Sequence, residues 1–223
     1  MLPNGFIVTL DMALGKDGLA TRAERAKYAL YVLGIFRENV YLVPRTSFAM
    51  PSLSSGHLWP RAREHFSELY RSALAQARSG DDLKAAFLLG HAIHVLIDMA
   101  CPSHAQHTWH YLSDPFERYV DAHARELASL PLPDLEPSFN GASPEVVVAA
   151  LANEAQKEVT DHTQTLWGKW LRRVGMRRPL KRADVEPQAK KLIPLAAAHL
   201  RVVLDNFQRE ASVREFPLAA NAD

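Results

Sequence analysis

Apolar and polar residues along this chain recur at helical spacing. Runs of alternating polarity are few and β-branched residues rarely cluster, so the pattern predicts helices joined by loops. Residues 19–36 set Tyr28, Leu30, Tyr31, Leu33 and Ile35 among Arg and Glu, which reads as a helix ended near Gly34. A Pro- and Ser-rich stretch from Pro44 to Gly56 reads as loop. Residues 60–78 carry Ala62, Phe66, Leu69, Ala73 and Ala77 on one stripe, an amphipathic helix with a single core-facing side. "SGDD" at 79–82 breaks the pattern and supplies an N-cap. From Leu83 to Ala100 the pattern is apolar nearly all round, as expected of a helix buried at the centre of a fold. Pro102 is expected to stop it.

Downstream, "SDPFERYVDAHARELASL" opens another helix, with Asp114 suited to the N-cap, Pro115 to the first turn and Glu117 to a capping box. A proline-rich connection covers 131–143, and two further helices are expected at about 144–172 and 185–210. The basic run "RRVGMRRPLKR" lies between them; it reads as a solvated turn, with contact to phospholipid headgroups as the rival reading. No internal repeat and no clear boundary interrupts the series. The expected architecture is all-α, a single multi-helix domain over 1–223 around a buried central helix.

Composition narrows the classes. The chain has 223 residues, 48% apolar and 23% charged, with a formal net charge of +1, so no global field draws it to nucleic acid or an anionic membrane. Its one cysteine, Cys101, rules out an internal disulfide framework and Cys-based zinc motifs, and reads as a small buried hydrophobe. No apolar run approaches the roughly 20 residues that span a bilayer. The start, "MLPNGFIVTLDMALGKDG", shows no basic n-region and no sustained apolar core, so as written no signal peptide is expected.

The chemistry concentrates in "GHAIHVLIDMACPSHAQHTWH", residues 90–110, which hold five of the ten histidines. His94 and Asp98 stand four apart and share one face of the central helix. A buried carboxylate and buried imidazoles need compensation, and a divalent metal supplies it, because both groups are ordinary ligands. A His94–Asp98 hydrogen bond that only stabilises the helix is the alternative. His104, His107 and His110 follow at intervals of three, compatible with ligands or with a solvated histidine face. No Glu-x-x-His and no His-Glu-x-x-His occurs, which argues against di-iron bundles and helical zinc proteases. No His-Asp doublet occurs either; only the reverse, Asp161-His162, is present.

These residues resemble the bacterial zinc-dependent phospholipase C family, whose all-α fold is shared with single-strand-specific zinc nucleases. The family motif is an apolar Leu-Gly-x-x-x-His-x-x-x-Asp helix followed by Pro-x-His, a further His and a Phe/Tyr-Glu pair. Here Leu89, Gly90, His94, Asp98, Pro102 and His104 stand at matching spacing, with Phe116 and Glu117 beyond. The nucleases place Trp-Asp at that last pair, so the phospholipase branch is the better match. "SGHLWPRAREHF", "GIFRENVYLVP" and "PLAAAHLRVVLDNFQRE" extend the resemblance over most of the chain.

The resemblance implies a zinc held by His57, His94 and Asp98 and a second held by His104, His110 and Glu117. The family's aspartate in the "GIF" turn falls on Glu38 or Asn39, and Glu38 is the candidate to steer or deprotonate water beside Asp98. The third family site uses an amino-terminal Trp and a nearby His. This chain has no histidine before His57, its first Trp is Trp59, and Asn4 falls roughly where the His should be. Either the true start lies upstream, with a signal peptide and export implied, or the chain has lost a metal. His110 and Glu117 are also further apart than in the family, which leaves His107 or Asp114 as substitute ligands. Glu117 is equally placed to cap its helix and His57 to be a loop residue. His91 reads as a support to the ligands or a polar core contact, and His65, His123, His162 and His199 as surface or core residues. The implied function is zinc-assisted hydrolysis of a phosphodiester, with a phospholipid head group as substrate and peripheral membrane contact. A degenerate metal-binding structural or partner protein is the second reading and a single-strand nuclease the third.

Overall fold

The computed structural model describes residues 3–14, 60–106, 115–135, 137–139, 141–160 and 180–212. The described residues form helices and no strand, so the all-α expectation holds. In chain order they are α1 (Pro3–Leu14), α2 (Arg61–Arg78), α3 (Asp82–Asp98), α4 (Pro102–Ala105), α5 (Pro115–Ala122) and α6 (Ala124–Leu127). A 3-10 turn at Pro137–Phe139 leads to α7 (Pro144–Gln156) and then α8 (Arg182–Ser212). The expected helix at 19–36, the loop at 44–56 and the tail of the 144–172 helix lie outside the described residues.

Helices α2 and α3 form the most extensive packed pair, and the turn between them shows why. Asp81 N–H donates to the Gln76 carbonyl (3.0 Å) and Gly80 N–H to that of Ala77 (3.1 Å), a Schellman ending for α2. Gly80 takes φ 86° to close it, a left-handed conformation that a Cβ disfavours. The same Asp81 then caps α3, its carboxylate accepting from Lys84 N–H at 3.0 Å. One residue thus ends one helix and begins the next, folding the two back on each other.

Helix α3 is the centre of the core, as its pattern predicts. Every residue from Leu89 to Ala105 is buried. Its N-terminal turn is not: Leu83 is 66% exposed. The helix also ends at Asp98, before Ala100, through tight i→i−3 bonds from Met99, Ala100 and Cys101. Pro102 starts the next helix rather than stopping this one. It occupies the first turn of α4, where a missing N–H costs nothing, and Cys101 before it is extended (φ −84°, ψ 117°). The helix expected from Asp114 is divided at His123 into α5 and α6.

The long α8 packs against α1, α2, α3, α5, α6 and α7. Tyr70 of α2 anchors its far end: the ring meets Phe207 edge-on at 5.6 Å and the hydroxyl donates to Glu210 at 3.0 Å. Burial and then the Glu210 carboxylate push the Tyr70 phenol above its ordinary 10.0. The neutral phenol's contribution is fully present below pH 10 and is lost as pH rises through the folded value. Urea unfolding across pH 9–12 is therefore expected to show an alkaline loss of stability that Tyr70→Phe reduces. An identical alkaline limb in both proteins would reject this account.

Candidate metal centre

The turn after α3 brings its last residues against α4 and α5. His94 Nε2 lies 3.1 Å from Asp98 Oδ2, one helical turn on, and both side chains are 1% exposed. The same Asp98 oxygen also faces His104 of α4, whose Nδ1 is 3.8 Å away. His104 turns its Nε2 to Glu117 of α5, 3.4 Å from Oε1. The result is a buried series, His94, Asp98, His104 and Glu117, with imidazole and carboxylate alternating.

Cys101 completes a donor group that the sequence did not suggest. Its thiol sulfur, a His104 ring nitrogen and a Glu117 carboxylate oxygen all lie within 4.8 Å of one another, and all three residues are buried. The lone cysteine, read as a hydrophobe, therefore stands among polar groups; Ser103 Oγ is 3.1 Å from its sulfur. A tetrahedral zinc with bonds of about 2.0–2.3 Å spaces its donors about 3.5 Å apart, so a small contraction would bring these three onto one ion. Thiolate, imidazole and carboxylate together are a donor set that could hold a metal ion. The residues fit a metal by chemistry and by reach.

Each member is held from outside the group. The α3 helix fixes His94 and Asp98 in register. At the end of α4, Gln106 donates to the carbonyls of Gln156 (3.1 Å) and Glu158, and Gln156 donates back to the Ala105 carbonyl at 2.9 Å. Thr160 donates to Gln106 at 3.1 Å. These bonds fasten α4 to the end of α7 and set the height of His104. Phe116 and Val120, both buried, seat α5 beside it. Burial by itself would raise the Glu117 carboxyl; positive charge around it, including a hydrogen bond and attraction from His104, outweighs burial and holds it below the ordinary carboxylate range.

Of the residues the sequence singled out, His94, Asp98, His104 and Glu117 come together. Glu38, Asn39, His57, His107, His110 and Asp114 lie outside the described residues, as does Asp161-His162. His91 is buried on α3 with its ring edge-on to Phe87 at 4.8 Å, a polar core contact. His65 is half-buried, and His123 stacks on Tyr119 at 4.0 Å. At the end of the basic run, Arg182 pairs with Glu186 at 3.3 Å and sits 5.8 Å from the Tyr119 ring centroid. No helix among the described residues is long and apolar enough to cross a membrane.

A scan against protein-family models and a search of curated proteins gave no match to this chain.

Proposed function

We propose that the Cys101, His104 and Glu117 group is a zinc site and that the protein is a zinc-dependent phosphodiester hydrolase of the phospholipase C kind. The observation that carries this reading is the buried contact series from His94 through Asp98 and His104 to Glu117. Groups of this polarity are costly inside a core, and a dication offsets the lost hydration of all of them at once. Glu117, Cys101 and one nitrogen of His104 would hold the ion. Asp98 faces the other nitrogen of His104, the usual way a carboxylate fixes the tautomer and aim of a metal-binding imidazole. His94 in turn holds Asp98. The resemblance to the phospholipase family would instead give His94 and Asp98 an ion of their own, with His57 and Glu38 completing that half.

When bound, zinc lowers the pKa of a water it holds to roughly 7 and offers charge to phosphoryl oxygens. A phospholipid head group at a membrane surface is the substrate class that the resemblance supports.

A second reading is favoured by Cys101. Closed, thiolate-containing zinc sites are often structural, and every donor here is buried. One experiment separates the readings. Metal analysis of protein never exposed to chelator is combined with hydrolysis of a chromogenic choline phosphodiester and of single-stranded DNA. Zinc with phosphodiester turnover, both lowered in Glu117→Gln, supports the hydrolase. Zinc without turnover supports the structural centre, and cleavage of DNA alone supports a nuclease. Absence of bound metal would reject the site itself.

A further inference from the structure

A cavity of about 700 Å³ opens between the proline-rich connection, α7 and α8. None of the residues of the metal group lines it, so it stands apart from that site. Its volume falls within the usual range for small-molecule pockets. The walls include Leu135, Phe139, Ala150 and Leu195, and His199 lines it from α8.

His199 gives the cavity its chemistry. The residue is 2% exposed, and Nδ1 lies 2.9 Å from the Leu195 carbonyl. A carbonyl can only accept, so Nδ1 carries the proton. Burial pushes the imidazole pKa down, which keeps the ring neutral near pH 7, although the Leu195 bond opposes this. Nε2 is then a lone-pair acceptor, and among the described residues it has no hydrogen-bond partner. A buried acceptor without a donor is unfavourable and uncommon in folded proteins. Phe139 packs edge-on against the same ring at 5.3 Å and adds an aromatic wall beside it.

Charge at the rim argues against an anionic occupant. Lys191 is bound to Glu158 at 2.8 Å and Glu154 at 3.4 Å, and Lys157 pairs with Glu154. Asp134 adds a further carboxylate to the lining, so the rim has no cation to spare for an anion. The exposed lysines mark the mouth and buried His199 the floor.

We propose that this cavity binds a neutral, largely apolar small molecule whose hydroxyl or N–H group donates to His199 Nε2. The probes are 4-butylphenol and its methyl ether, 4-butylanisole, which differ in the donor. Calorimetric or ligand-observed NMR titration of the full chain is expected to show the phenol binding roughly fivefold to tenfold tighter. His199→Phe keeps an aromatic ring but removes the acceptor, and should abolish that preference while the ether still binds. Asn153→Trp, at an exposed position on the rim, should weaken both probes at least fivefold, and its melting curve checks that the fold survives. Lack of saturable binding by either probe overturns the proposal, as does a phenol preference that persists in His199→Phe. Should His199→Phe fail to fold, undiminished phenol binding by Asn153→Trp overturns it equally.

Discussion

Replacing His104 with alanine is expected to remove bound zinc and, in chelator-treated protein, to cost about 3–5 kcal/mol of stability. The size follows from position. The ring stands between two buried carboxylates, 3.8 Å from Asp98 and 3.4 Å from Glu117, and its removal leaves both facing a hole. Breaking a buried charge pair leaves uncompensated charge, which is more damaging than deleting the pair together. The double variant His104→Ala/Glu117→Gln should therefore be less unstable than the sum of the single variants. Urea unfolding of the four proteins, with metal content measured on untreated samples, reads both effects. If His104→Ala keeps its zinc and loses under 1 kcal/mol, the group is neither a metal centre nor an electrostatic unit.

Leu89→Ala should cost about 2–5 kcal/mol, whereas Leu83→Ala in the same helix should fall within about 0.5 kcal/mol of the parent. Both are leucines in α3, and helix propensity changes little between them. Leu89 is fully buried and Leu83 is 66% exposed. Truncating the first removes apolar contacts and leaves a cavity in close-packed surroundings; truncating the second removes surface that water already reaches. Urea midpoints of the two variants measure the contrast. Equal losses would mean that α3 contributes through its intrinsic helicity and not through its place at the centre of the core.

That contrast also marks how far the sequence could be read. The apolar run from Leu83 to Ala100 announces a central helix, because a helix apolar on every side has nowhere else to go. It does not say where along that helix burial begins, since Leu83 and Leu89 look alike until α2 and α8 are in place. The amphipathic stripe of α2 and the Asp81 cap were legible for the same local reason. Pro102 misled because a proline is compatible both with ending a helix and with starting one. Helix α1 has no periodic signature strong enough to stand out; it packs mainly on α8, which lies at the other end of the chain.

The candidate site divides along the same line. His94 and Asp98 are four residues apart, and helical geometry alone makes them neighbours. Cys101 and His104 are three apart, a spacing visible in the letters, but the cysteine's apolar surroundings concealed it as a donor. Glu117 comes from a separate helix, and its role beyond capping depends on α5 being held beside α4. His199 is the extreme case: nothing in "LAAAHLR" distinguishes a core histidine from one on a cavity floor. Its Nε2, without a hydrogen-bond partner among the described residues, is placed by the packing of α8 against Phe139 and α7.

By itself, then, the sequence determined the helical class, the central helix and the imidazole–carboxylate pair within it, all of which rest on contacts a few residues apart. Tertiary structure alone decided which leucines are core, that Cys101 and Glu117 meet His104, and that a cavity forms over His199. Those depend on helices distant in the chain closing on one another, and no local periodicity records that closure.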